Sequence, residues 1–321
     1  MKSRDIIVKN IMGYIIYSPL LALYIFIVYR NSGKDNAINL FLLSKKYTFV
    51  SSQIERTSVP LSYKKLIYME RYSRNRIYIS EEEQEKIRQA RILLGGAGIG
   101  SIIAECALRF GFENITIVDG DKVEESNLNR QNYVKADIGK YKAETLCKRL
   151  LKINPDAEIK FFNTFIDKEN VENIISGHHI AINALDFKDG TPFEFDRLCS
   201  EKMIPVLHPY NFGWAGFLTI VKPKGYQLSE ISSEPNGFEL KVAEYVSRYG
   251  AFWNMPTTWL EKVIEEYRAE AGILPPPQLS VASWIVAGHC VNAMFNLTTG
   301  REVKYFPKFY LSSLMCENNS L

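Results

Sequence analysis

Four side chains in this sequence have types and spacing suited to work on a phosphorylated ligand. Arg130 closes a polar loop, Ser126-Asn127-Leu128-Asn129-Arg130, and Lys142 stands near the start of the next helical stretch. A planar guanidinium suits bidentate contact with phosphate, and an ammonium adds a point charge at the same place. Asp119 ends an apolar segment about twenty residues after a glycine turn, where a carboxylate accepts ribose hydroxyl hydrogens. Asp186 ends a later apolar segment. An acid at the carboxyl end of a parallel strand faces the ligand crevice and can hold a divalent cation. Its competing role is N-cap of the helix that follows. A pyrophosphate seated on a helix N-terminus needs little further positive charge, whereas a triphosphate being cleaved does.

The elements that must position these groups read as a βαβ unit with a continuation. Residues 92–94 form a short buried strand feeding Gly95, Gly96, Ala97, Gly98, Ile99 and Gly100. Glycines there permit a tight turn and let backbone N–H groups approach an anion at a helix N-terminus. A helix over 101–110, a strand over 115–118, a helix over 140–151 and a strand over 179–185 follow. Upstream, Arg71 and Arg74 precede a helix signalled by Ser80 as N-cap with Glu81, Glu82 and Glu83 in its first turn. The glycine turn and Asp119 alone fit an NAD-dependent Rossmann oxidoreductase equally well. Arg130, Lys142 and Asp186 argue against that reading, and against a non-catalytic scaffold that merely keeps the fold.

Taken together, RYSR, the glycine turn, DGDxVExSNLNRQ, DIGxxK and an aspartate closing a later strand resemble the ThiF/MoeB/HesA group of ATP-dependent adenylating enzymes, relatives of the adenylation domain of ubiquitin-activating enzymes. The resemblance covers about residues 70–300. It implies an α/β fold, a Rossmann-like, mostly parallel sheet with helices on both faces, extended by antiparallel strands and a crossover segment at 223–277. It places contacts to ATP on Gly95, Gly96, Gly98, Gly100, Asp119, Ser126, Asn127, Asn129, Arg130, Lys142 and Asp186, with Asp186 on Mg²⁺. It makes Arg74, Arg130, Lys142 and Asp186 the catalytic set, Arg74 reaching the phosphates from the partner subunit of a homodimer. The implied reaction is attack of a carboxylate on the α-phosphate of ATP, giving an acyl-adenylate and pyrophosphate. The implied substrate is the C-terminal glycine of a small ubiquitin-like or sulfur-carrier protein. The alternative within the class is a peptide or small-molecule carboxylate.

Some residues depart from the family pattern. Ala97 stands for a usual glycine and adds a methyl where backbone meets phosphate. Phe187 stands where an asparagine commonly follows the aspartate. Cysteine pairs for zinc are absent, so no zinc is expected. The segment between Cys199 and Cys290 holds no cysteine for a thioester.

Composition sets outer limits. The chain has 321 residues, a net charge of +3 and both signs in plenty, which leaves no electrostatic footprint for nucleic acid. Its five cysteines, at 106, 147, 199, 290 and 316, are odd in number and contain no CxxC pair, which fits reduced thiols in the cytoplasm. Cys199 and Cys290 read as core, and Cys316 as a free thiol in the tail.

The apolar, uncharged run at 11–29 has the length of a transmembrane anchor. Lys45, Lys46, Arg56, Lys64 and Lys65 after it would keep the main domain cytoplasmic. Equally, Met69 directly precedes the recognisable domain and can be the true start. The expected organisation is an extension at 1–68, an adenylating domain at 69–312 and a tail at 313–321, in the cytoplasm or anchored facing it.

In the second half, a strand at 204–207 ends at His208, which can contact substrate or serve the structure. Gly213 and Gly216 precede or enter the strand at 217–222, and by family likeness could open a groove for an extended tail. Helices are expected at 194–202, 238–249 and 258–271. A last one, at 281–297, is apolar on most faces and is expected in the core or at a dimer interface.

Overall fold

Strands that read as unbroken apolar runs need cover on both faces, and that requirement organises the chain. The structure, a computed structural model, describes residues 70–255, 257–270 and 274–315. The apolar run at 11–29, the question of a start at Met69, and Cys316 lie outside them. In chain order the elements are α1 (Glu81–Gln89), β1 (Arg91–Gly95), α2 (Gly100–Phe110), β2 (Asn114–Val118), α3 (Lys142–Ile153), β3 (Glu158–Phe162), α4 (Val171–Ile175), β4 (Ile180–Asn183) and α5 (Thr191–Glu201). Then come β5 (Val206–Phe212), β6 (Ala215–Val221), α6 (Phe238–Phe252), α7 (Thr258–Ala269), α8 (Ser280–Thr299) and β7 (Phe309–Ser313).

The strands form one seven-stranded sheet in the order β3-β2-β1-β4-β5-β6-β7. The first five run parallel, and β6 and β7 extend them antiparallel. This is the expected α/β sheet with its antiparallel extension. Two apolar clusters cover its faces. One packs α1, α2, α3 and α8 through Ile87, Ile103, Leu146 and Met294. The other packs α4, α5, α6 and α7 through Ile175, Phe195, Phe238 and Leu260. Among the described residues no helix is long and apolar enough to cross a membrane.

Ser80 caps α1 as its sequence signals: its Oγ accepts the Glu83 N–H at 3.2 Å, and Glu83 accepts the Ser80 N–H at 2.9 Å. Several boundaries differ from the expected ones. The helix placed at 140–151 begins at Lys142, because the Lys142 N–H is taken by the Asp121 carbonyl. The strand placed at 179–185 stops at Asn183: the Ala184 N–H still reaches the Gly95 carbonyl at 2.8 Å, but the Leu185 N–H turns back to Asn183 Oδ1 at 3.4 Å, while the Asn183 amide donates to the Pro192 carbonyl and to Asp196. Asp186 therefore stands in a loop, and Gly190 occupies the N-cap of α5, so the capping role does not apply. The strand placed at 204–207 runs on to Phe212, which puts His208 inside it, fully buried against Asp196. His208 has a structural role and does not face a substrate.

The groove imagined at Gly216 is also filled. A Cβ built there would meet Ile285 Cγ2 and the Val286 backbone nitrogen, both at 2.7 Å, because α8 lies directly on β6. Gly213, with φ +69, turns the tight β5–β6 hairpin. Helix α8 is a core helix, burying Ala282, Val286, Cys290 and Met294.

Gly216→Ala should therefore destabilise the protein by about 1–3 kcal/mol, since a helix backbone must shift to admit the methyl. Chemical denaturation checks this as a lower midpoint at unchanged slope; an unchanged midpoint would contradict the close packing.

Candidate functional site

The strand order reverses between β1 and β4, and at such a switch point the carboxyl ends of the strands open a crevice. The glycine turn leaves β1 there. Gly96 has φ +94, and a Cβ on it would lie 2.3 Å from the Ala184 carbonyl oxygen, so glycine is required. At Gly100 a Cβ would come 2.8 Å from Leu94, and its absence lets α2 settle on β1. Among the described residues the N–H groups of Gly98 and Ile99 have no partner, and they lie at the N-terminus of α2. That arrangement suits an anion.

Ala97 does not meet a ligand as its sequence position suggested. It is fully buried in the core, its N–H donates to Asp119 Oδ2 at 2.6 Å, and its carbonyl accepts the Tyr133 hydroxyl at 2.8 Å. Its methyl packs in the core. Phe187 likewise turns inward, stacking on Phe238 with centroids 4.4 Å apart.

Asp119 holds two pieces of backbone together. Its second oxygen accepts the Asp121 N–H at 2.7 Å. Burial pushes its pKa up, against the Ala97 N–H, Lys142 and the Asp121 N–H, which hold it down. Each carboxylate oxygen keeps a second lone pair, so a ribose hydroxyl can still donate to it.

Lys142 is buried at the first turn of α3, with its Nζ 2.9 Å from Asp121 Oδ2. Arg130 is aimed by three acceptors: Gln278 Oε1 on its Nε, and the Ser126 carbonyl at 2.7 Å and Asn129 Oδ1 at 2.9 Å on one terminal nitrogen. The other terminal nitrogen has no partner among the described residues. Burial pushes the Arg130 pKa down, and the nearby Asp186 carboxylate offsets this. Ser126 and Asn129 thus act on the site through Arg130. Asn127 is buried, and its Oδ1 accepts the Glu124 N–H at 3.0 Å, shaping the loop.

Asp186 is exposed and sits 3.2 Å from Lys188 Nζ. Behind it, Glu239 of α6 accepts the Phe187 N–H at 3.4 Å, and burial pushes its pKa up. Among the described residues no group of three or more His, Cys, Asp or Glu could hold a metal ion. A magnesium ion near Asp186 would have to be completed by phosphate oxygens and water, which is how that ion is commonly held.

The polar loop is stitched to α2 as well. Asn132 N–H donates to Ser101 Oγ at 2.9 Å, and its side chain bonds Glu105. Burial pushes the Glu105 carboxyl up, but Arg149, Arg109 and Asn132 together hold it below its ordinary value.

Arg74 is the one expected site residue that the chain does not bring to this cluster. It lies exposed on the turn Ser73–Asn75, whose neighbours are pinned by Tyr72 to Leu108 and Glu113 and by Asn75 to Phe110. Arg71 is structural, paired with Glu113 and Asp156.

Sequence reasoning missed Asp121, Lys188, Glu239 and Gln278. Asp121 was visible as the second acid of DGD, and Lys188 as the cation two residues after Asp186. Glu239 and Gln278 carry no local signal, because only the tertiary fold returns them to the crevice.

With the geometry described, likeness to known proteins adds the class. The model of the ThiF family matches residues 72–318. The SAMP-activating enzyme E1 of Haloferax volcanii is 29% identical over 161 residues, which is 49% of this chain and 59% of that protein. The tRNA threonylcarbamoyladenosine dehydratase of Haemophilus influenzae is 31% identical over 150 residues, 46% of this chain and 55% of its own. The chain thus spans little more than half the length of these curated relatives. Among solved structures, E. coli MccB with AMPCPP and MccA aligns with a TM-score of 0.56 at 16% identity, over 76% of this chain and 70% of its own. That likeness concerns the fold.

Two outcomes follow from the site's internal bonds. Asp119→Asn places an amide nitrogen against a backbone N–H and should cost roughly 1–3 kcal/mol of stability, read by urea denaturation. Glu105 has a folded pKa below the ordinary 4.5, so its stabilising contribution is present above that pH and lost as pH falls. The stability gap between wild type and Glu105→Gln should therefore be widest near neutrality and close below about pH 4.5 in thermal melts.

Proposed function

The chain belongs to the ThiF family, and from that premise we propose that it is an ATP-dependent adenylyltransferase that activates a carboxylate as an acyl-adenylate. The observation that carries this reading is the convergence of Arg130, Lys142 and Asp186 with the Gly98 and Ile99 N–H groups at one crevice. A dinucleotide oxidoreductase has no use for that much phosphate-directed charge, and family membership removes its support.

In this reading ATP enters as a substrate with its magnesium ion. Asp119 accepts from the ribose, the N-terminus of α2 receives phosphate, and Arg130 and Lys142 neutralise the charge that builds at the α-phosphate and on departing pyrophosphate. Asp186 faces the same place, to hold the cation that travels with the nucleotide. The attacking carboxylate is already an anion, so the step needs in-line placement and charge neutralisation, with no protein nucleophile and no base. The buried thiols fit this account. Burial pushes the Cys199 and Cys290 pKa values far up, leaving them unreactive. The adenylate then passes to an outside nucleophile.

The substrate proposed first is the C-terminal glycine of a small ubiquitin-like or sulfur-carrier protein. A second reading, activation of a carboxylate on a peptide or small molecule, gains from the filled groove at Gly216. The working unit proposed is a homodimer in which Arg74 of one subunit serves the other. The loop bearing Arg74 supports this: Ile77 and Tyr78 beside it are 94% and 83% exposed. Ile77 is also held at φ +77, a costly conformation for a β-branched residue.

Pyrophosphate exchange tests the reading. The full chain is incubated with ATP, magnesium, labelled pyrophosphate and, in separate arms, carrier proteins ending in glycine, peptides, and small carboxylic acids. Exchange dependent on one of these carboxylates is expected, and Asp186→Ala should lower it at least roughly a hundredfold while the circular dichroism stays unchanged. Exchange that survives in that variant, or none in any arm, would overturn the assignment.

A further inference from the structure

We propose that Lys188 is a phosphate-binding residue of this site, held on Asp186 in the absence of nucleotide and transferred to the triphosphate when ATP arrives. The proposal rests on the adenylation reading and adds to it a group that no motif supplied.

The charges at the crevice are the starting point. Asp119, Asp121 and Asp186 are the acids that face it, with Glu239 behind Asp186. Arg130 and Lys142 alone would leave this set net negative, and such a site repels a triphosphate. Lys142 is moreover buried and bonded to Asp121, so its charge acts from a fixed position and is partly offset there. Lys188 brings the cations up to three against Asp119, Asp121 and Asp186, and its ammonium feels all three of those acids.

Its placement is that of a movable group. Lys188 lies in the loop between β4 and α5, two residues after Asp186, and its Nζ is 3.2 Å from Asp186 Oδ2. The side chains of this pair are 78% and 67% exposed, so the contact is screened by water and weak. When the cation travelling with ATP occupies Asp186, the ammonium is displaced from its acid with four flexible carbons to reach the nearest anion. In the adenylation reading the phosphates are the anions brought to this crevice, which makes phosphate its target.

The test compares wild type, Lys188→Ala and Lys188→Arg as full chains, measuring calorimetric binding of a non-hydrolysable ATP analogue and of adenosine in magnesium buffer. Loss of one charge-assisted phosphate contact should weaken the analogue about ten- to a hundredfold in Lys188→Ala. Adenosine affinity should stay within about twofold, since the nucleoside lacks the phosphates, and Lys188→Arg should recover most of the loss. Equal weakening of both ligands would show a structural role and overturn the proposal. So would unchanged analogue binding. Wild type that binds adenosine but not the analogue would sink the adenylation reading itself, and Lys188 with it; wild type that binds both while Lys188→Ala is unaffected sinks only the role of Lys188.

Discussion

The site depends on one carboxylate that does two backbone jobs. Asp119 joins the glycine turn to the start of the polar loop, accepting the Ala97 N–H at 2.6 Å and the Asp121 N–H at 2.7 Å. From the second of these bonds the rest follows. Asp121 is fixed, its carbonyl starts α3 and its side chain takes the Lys142 ammonium. Tyr133 closes the circuit from the other side, donating to the carbonyls of Ala97 and Lys142. This acid is thus a structural rivet, and the local geometry of the crevice is set by the chain's own bonds.

The cations of the site are held in different ways, and the difference has a physical purpose. Lys142 is buried and paired, so it presents a fixed charge. Arg130 is forked between Gln278, Ser126 and Asn129, which fixes the plane of its guanidinium and leaves one terminal nitrogen without a partner among the described residues. Preorganised charge of this kind stabilises a developing anion without reorganisation at the moment of reaction. Asp186 and Lys188 are exposed on a loop, where rearrangement of their side chains is cheap.

The segment between β6 and α8 is tied to this crevice at both ends. Glu239, in the first turn of α6, holds the Phe187 N–H beside Asp186, and Gln278, just before α8, holds Arg130. One long run of chain therefore touches both the loop of Asp186 and the guanidinium of Arg130. In the same region the aromatic packing of Phe187, Phe193 and Phe238 replaces the polar contact that an asparagine would make after the aspartate. The loop is held by apolar burial and one carboxylate in place of a side-chain amide.

By itself the sequence determined the class of fold and named most of the side chains that the structure gathers at the crevice. Apolar runs at strand length, glycines at the turn and Ser80 with Glu83 are local signals, and local physics wrote them. Arg130, Lys142 and Asp119 were legible for the same reason: their spacing from the glycine turn is fixed by one βαβ unit. Tertiary structure decided what depends on distant neighbours. It sent the Ala97 methyl into the core, buried His208 against Asp196, filled the space at Gly216 with α8, and tied the end of β4 to α5 through the Asn183 side chain. It also returned Glu239 and Gln278 to the crevice across long stretches of chain. No local pattern records such contacts, because each is chosen by the packing of whole helices on the sheet and not by the residue's own neighbours in sequence.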